Sequence, residues 1–274
     1  MSDLVTIDIQ DHVAHVRLNR PEKMNALSMA MFEAITAAGR EVAGDRNVRA
    51  AVLSGEGRAF CAGLDLENFA NSDPNDDFFG AGRGGFWPNF YQLPAYAWKS
   101  VPVPVICALH GVAYGGGLQI ALGADIRIAH PDTRVSLMEI KWGLVPDMSA
   151  SQTLRDLVRL DVAKELTFTG RVVEGSEAAD LGLVTRLADD PLAAALDMAA
   201  GIAGRNPDAI THGKYLLDNS WHGDHLAGLR LEERLQDRTM GKPNQLESVM
   251  AGMEGRSGNY TPRHIATFED LDNL

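Results

Sequence analysis

The sequence predicts an α/β fold with parallel strands, and three observations lead there. Short apolar runs of strand length recur with helical segments between them, the pattern that layers crossover helices on a parallel sheet. The chain has 274 residues, 45% hydrophobic and 23% charged, enough to bury a full core without disulfide staples. Two glycine-containing turns each follow a predicted strand, and the second opens a helix.

The elements follow in order. Val5, Ile7 and Ile9, then Val13, Val16 and Leu18, alternate around the polar Gln10-Asp11-His12, which reads as two short strands and a turn. Asn19-Arg20-Pro21 stops them. Ser28 caps a helix carrying Met31, Phe32, Ile35 and Val42 that ends near Gly44-Asp45, and a buried-type strand runs from Val48 to Leu53. The alternation recurs with a strand from Val103 to Leu109, a glycine-rich turn, a helix from Leu118, and strands at Ile126–Ala129 and Val135–Leu137. From Leu192 the strand signal fades, and Pro191, Pro207, Gly213 and Gly223 punctuate segments of helical spacing. Asn71 to Gly85 is breaker-rich and runs into Phe86, Trp87, Phe90 and Tyr91; it reads as a loop pinned to something apolar, either a surface cluster or a lid over a ligand.

Composition excludes several classes. With 25 Lys and Arg against 37 Asp and Glu, the net charge of −12 offers no phosphate-neutralising footprint, so nucleic acid is not an expected partner. Cys61 and Cys107 lack CxxC spacing and read as small buried hydrophobes in a reducing compartment. The opening MSDLVTIDIQDH is acidic and alternating, unlike a targeting segment. The longest apolar stretch, Val101 to Leu109, is broken by two prolines and too short to span a bilayer. A cytoplasmic protein without membrane contact is expected.

The glycine turns are Ala59-Phe60-Cys61-Ala62-Gly63-Leu64-Asp65 and His110-Gly111-Val112-Ala113-Tyr114-Gly115-Gly116-Gly117. Three glycines before a helix leave its first amides unobstructed and aimed at an anionic oxygen, although a tight packing turn would read the same way. Neither turn matches a dinucleotide or phosphate-binding loop, so no nucleotide cofactor follows. His222 and His225 beside Asp224 lack a third ligand, and no metal is expected. Glu139 follows Leu137-Met138 at a strand end; Asp147 follows Gly143-Leu144-Val145-Pro146 and reads equally as a helix cap, with Ser149 and Gln152 as a rival capping box.

Together AFCAGLDL, HGVAYGGG and MEIKWGLVPD resemble the crotonase superfamily of enoyl-CoA hydratases and isomerases in order and spacing, as do NRPEKMNAL, ADIRIA and FTGRVVEGSEAADLGLV. The resemblance implies a spiral of repeated ββα units over residues 1–200 and a helical region over 201–274 used for assembly into a homotrimer or hexamer. It implies an acyl-CoA thioester substrate, CoA being part of the substrate rather than a cofactor. The thioester oxygen would lie between the amides of Ala62 and Gly116, with Ala59, Cys61, Gly63, Leu64, Asp65 and Gly115 lining the site. Arg20 and Arg58 are candidate cations for the CoA phosphates.

One departure matters. Hydratases of the family carry glutamates at the positions of Gln119 and Glu139, and a neutral amide cannot act as a base. Asp147 matches an acid of the dienoyl-CoA isomerase branch, which carries a further acid where Gln119 stands. The expected activity is therefore double-bond isomerisation with Glu139 as proton carrier and Asp147 as a second acid. A hydratase in which Gln119 orients water, and a binding protein without turnover, are the alternatives.

Overall fold

A computed structural model describes residues 4–65 and 88–272. Its main sheet has the order β1-β2-β3-β4-β6-β9, where β1 is Val5–Gln10, β2 Val13–Leu18, β3 Ala50–Gly55, β4 Val105–Leu109, β6 Ile126–Ala129 and β9 Arg186–Leu187. Within this sheet, among the described residues, only β1 and β2 pair antiparallel, and every later neighbour is parallel. A second sheet, β5-β7-β8, holds Val112–Tyr114, Arg134–Ser136 and Val173–Glu174.

Period-two alternation gives the main sheet two apolar faces. Ala51 and Leu53 of β3 and Cys107 of β4 face a core shared with α1 (Met29–Gly44), α2 (Leu93–Ser100) and α3 (Gly116–Leu122). Ala50, Val52, Ile106 and Ile128 point the other way, onto α7 (Pro191–Ala203). There Ala195, Ala199 and Ala203, four residues apart, let the helix lie close to the strands. Residue 200, where the sequence suggests a change from core to helical region, falls inside this helix.

The predicted elements recur with shifted edges. Ser28 Oγ accepts the Met31 amide at 3.2 Å and starts α1 as expected. The third strand begins at Ala50 rather than Val48, because the Val48 amide turns back to the Asp45 carbonyl. The fourth begins at Val105, after Pro104, which has no amide to pair. The strands β5, β8 and β9 have no counterpart in the sequence reading; each has only two or three residues, too few for periodicity to register.

Between β7 and α7 lie a 3₁₀ turn at Glu139–Trp142, α4 (Ala150–Thr153), a 3₁₀ turn at Leu154–Asp156, α5 (Leu160–Thr169) and α6 (Gly175–Leu181). The chain ends in α8 (Pro207–Ser220), α9 (His225–Thr239), α10 (Pro243–Glu254) and α11 (Glu269–Asp272). A fully buried Arg263 ties the end to the core by donating to the carbonyls of Ala43, Asp45 and Val48. No helix among the described residues is long and apolar enough to cross a membrane. The predicted loop Asn71–Gly85, with Phe86 and Trp87, lies outside the described residues; Phe90 and Tyr91 pack their rings on Phe32 of α1.

Candidate active site

Three segments distant in sequence meet beyond the ends of β2, β3 and β4. After β2, Met24 and Asn25 both take left-handed backbone (φ 50° and 55°). The fully buried Asn25 then donates from Nδ2 to the carbonyls of Glu56, Ala59 and Phe60 at 3.0, 2.9 and 3.0 Å, while Oδ1 accepts the Arg20 amide at 2.8 Å. This side chain fastens the first glycine turn to the NRPEKMNAL segment. Asn25→Ala would strand the buried carbonyls of Ala59 and Phe60 and the part-buried one of Glu56, and should lower stability by about 2–4 kcal/mol, read from chemical denaturation.

The two glycine turns lie side by side. Cys61 and Ala113 form a parallel bridge, with the Cys61 amide on the Val112 carbonyl and the Tyr114 amide on the Cys61 carbonyl. A Cβ on Gly63 (φ 88°) would stand 2.6 Å from the Tyr114 carbonyl oxygen, and one on Gly117 would stand 2.5 Å from that of Cys61. Only glycine permits this approach.

The amide assignment predicted from sequence needs one correction. Ala62 N donates to the Met24 carbonyl at 2.9 Å, so that hydrogen is already committed. Leu64 is the next partly exposed residue of the turn. Its neighbours Gly63 and Asp65 exchange both bonds of a parallel bridge with Leu27, which leaves the Leu64 amide without an acceptor among the described residues. The Gly116 amide is likewise without one, at the first turn of α3. No local pattern in the sequence signals this, because the acceptor that occupies the Ala62 amide, the Met24 carbonyl, comes from a distant segment.

Other expected lining residues have structural roles. Ala59 and Cys61 are buried behind the turn, with the Ala59 carbonyl on Asn25 and the Cys61 thiol donating to the Asn25 carbonyl at 3.1 Å; burial pushes that thiol up to about 12. Asp65 is held by Arg20, whose Nη1 donates to its Oδ2 at 2.6 Å and to the Ala26 carbonyl at 3.1 Å. Arg20 therefore anchors the turn instead of standing free for a phosphate, whereas Arg58 is exposed. Gly115 (φ 51°) faces the acid: a Cβ there would lie 3.3 Å from Glu139 Oε1.

Glu139 is buried at the start of the 3₁₀ turn after β7. Its Oε1 accepts Gln119 Nε2 at 2.6 Å, and its Oε2 is buried with no partner among the described residues. Burial pushes its carboxyl above the ordinary glutamate range; its own backbone amide and the Gln119 amide pull the other way, and the Asp147 charge adds a further rise. Trp142, three residues beyond Glu139 in the same motif, is 47% exposed with Lys141 over its ring, so the apolar surroundings of Glu139 come from elsewhere.

Gln119 is fully buried and its amide is spoken for on both ends. While Nε2 holds Glu139, Oε1 accepts the amides of Met148 and Ala150 at 2.8 and 3.2 Å. This distant side chain caps α4, so neither Asp147 nor the Ser149–Gln152 pair does; Ser149 makes no side-chain cap bond. Asp147 is half-buried, and desolvation raises its carboxyl as well. Two acids of raised basicity thus stand near one amide-lined turn.

The remaining candidates lie elsewhere. His110 Nε2 pairs with the Gly57 carbonyl at 2.9 Å. His222 pairs with Asp156, and Asp224 caps α9 by accepting the amides of Leu226 and Ala227. Among the described residues, no group of three or more His, Cys, Asp or Glu side chains is placed to hold a metal ion.

Known proteins resemble the chain as a whole. The family model for enoyl-CoA hydratase/isomerase matches residues 8–263. The mitochondrial Delta(3,5)-Delta(2,4)-dienoyl-CoA isomerase of Mus musculus is 34% identical over 263 residues, covering 90% of this chain and 78% of its own. The mitochondrial methylglutaconyl-CoA hydratase of the same species is 30% identical over 250 residues, covering 89% and 77%. The crystal structure of an enoyl-CoA hydratase from Bacillus anthracis superposes with a TM-score of 0.86 at 28% identity, over 94% of this chain and 98% of that one. By the family model's match over most of the chain and by these similarities, the chain belongs to the enoyl-CoA hydratase/isomerase family of the crotonase superfamily.

Proposed function

We propose that this family member shifts a double bond of an enoyl- or dienoyl-CoA, with Glu139 as the proton carrier and Asp147 as a second acid. The Glu139 carboxylate removes a proton from the carbon next to the thioester carbonyl. The electron pair moves onto the thioester oxygen, where the Leu64 and Gly116 amides receive it, and a proton returns at the far end of the conjugated system. One such amide is worth roughly 3 kcal/mol to an oxyanion transition state.

The observation that carries this reading is Gln119. Water addition by a carboxylate pair needs a second acid beside Glu139; here that position holds a neutral amide whose oxygen is occupied by two backbone amides. The similarity to a dienoyl-CoA isomerase supports the same reading. Hydration is the second reading: Gln119 Nε2 has another hydrogen that can orient a water, and relatives carry hydratase names.

Gln119→Glu separates the two readings. Wild-type protein should hydrate crotonyl-CoA slowly, and Gln119→Glu should raise that rate by restoring two carboxylates. The new acid, placed where Nε2 now touches Glu139, should also move the pH profile upward through like-charge coupling. Wild-type hydration at about 10 s⁻¹ or more would make the hydratase reading the better one.

The same proposal assigns Arg58 to the CoA phosphates. It also gives α8–α10 the role of a homotrimer or hexamer surface, supported by the exposed Leu226, Leu229, Leu246, Met250 and Met253.

A further inference from the structure

Ser149 is out of place by two independent measures. It has left-handed backbone (φ 68°, ψ 9°), which glycine adopts freely and which a residue with a Cβ adopts at a cost. The residue is only 7% exposed, yet its buried Oγ has no hydrogen-bond partner. A buried hydroxyl without a partner is costly, and a glycine would remove both penalties at once.

The position of Ser149 gives these costs a purpose. Buried unpartnered polar side-chain atoms among the described residues are Arg49 Nε, Trp98 Nε1, Thr211 Oγ1, Glu139 Oε2 and Ser149 Oγ. The last two belong to residues of the two segments that Gln119 joins: its Nε2 holds Glu139, and its Oε1 accepts the amides of Met148 and Ala150, the chain neighbours of Ser149. We infer that Ser149 is a positioning residue: in the acyl-CoA complex its hydroxyl donates a hydrogen bond, directly or over one water, to Glu139 Oε2. Gln119 Nε2, with one hydrogen to spare, supplies a further partner for such a water. The inference rests on Glu139 as the proton carrier. Oε1 is held by Gln119, so Oε2 is the oxygen left to take and return the proton, and the Ser149 donor sets its direction and basicity. Among the described residues Asp147 is the charged group that acts on Glu139; it pushes the carboxyl upward, and a donor on Oε2 opposes it.

The test compares Ser149→Ala, which keeps the strain and removes the hydroxyl, with Ser149→Gly, which removes both. Two readouts are taken: kcat against pH on a dienoyl-CoA, and the infrared carboxyl band of Glu139 in complex with hexanoyl-CoA, assigned by its loss in Glu139→Gln. Loss of the donor disfavours the carboxylate, so in both variants the band's midpoint and the acid limb of kcat should rise by about one pH unit. At the foot of that limb kcat falls about tenfold while KM stays near its wild-type value. Ser149→Gly should do this although its Tm is roughly 2–4 °C higher. A midpoint and acid limb equal to wild type in both variants would overturn the inference and leave Ser149 a strained spacer. If the wild-type protein isomerises no thioester, the activity reading has failed on its own, and the hexanoyl-CoA complex still reports whether Ser149 bonds Glu139.

Discussion

Glu139→Gln is expected to lower isomerisation by about 10²–10⁴-fold or more while leaving acyl-CoA affinity nearly unchanged, because the amide keeps the shape of the site and cannot take a proton. The substitution also has a signature in stability. Burial raises the folded-state pKa of Glu139 above its unfolded value, so between those two values the unfolded chain has released a proton that the folded chain still holds. Stability from this group is therefore full at low pH and declines as pH rises through that window. Glu139→Gln lacks the decline, and its Tm relative to wild type should grow with pH across the window. Gln119 Nε2 can still donate to the side-chain oxygen of the substituted amide, so the local hydrogen bond survives. Asp147→Asn sharpens the contrast. As a second acid, its loss should lower kcat on a dienoyl-CoA by a general acid–base factor, whereas the structure shows no capping role through which it would act on stability instead. Turnover that survives in both single variants, corrected for folded protein, would remove these acids from the mechanism.

Gly63→Ala should be the most damaging change outside the acids. The new Cβ would sit at φ 88° and 2.6 Å from a backbone carbonyl oxygen of Tyr114, which has no flexible end to give way. Relief requires the two glycine turns to part, and this moves the Leu64 amide away from that of Gly116. We expect a stability loss of about 2–4 kcal/mol. Beyond it, kcat of the folded fraction should fall about 10²–10³-fold, the loss that follows removal of one oxyanion donor. KM should change less than kcat, since the amides act most on the charge that develops in the transition state. A variant that is merely less stable, with wild-type kcat, would show that the paired amides do not hold the reacting oxygen.

The sequence displayed the layers of this fold because they follow periodicity. The alternation of Val5, Ile7 and Ile9, the Ser28 cap and the apolar β4 are local patterns, and each recurs in the structure. The motifs likewise located Gln119, Glu139 and Asp147 in one neighbourhood. What stayed hidden depends on partners far along the chain. The Ala62 amide looks free until Met24, far earlier in the chain, is seen to occupy it. Arg20 looks like a phosphate cation until it is seen paired with Asp65. Asp147 looks like a cap because the true cap, Gln119, comes from another helix. Ser149 gives no local sign of its left-handed backbone, since serine seldom adopts it and only the surrounding clamp imposes it.

The central claim is that one carboxylate beside a neutral amide moves a proton along the acyl chain instead of adding water. It is tested most directly by incubating purified protein with 2-enoyl-, 3-enoyl- and dienoyl-CoA thioesters and resolving the products by mass and retention time. We predict conversion of a 3-enoyl- or dienoyl-CoA to a product of unchanged mass and altered retention, lost in Glu139→Gln. Products heavier by one water, formed faster than any isomer and equally dependent on Glu139, would contradict the claim.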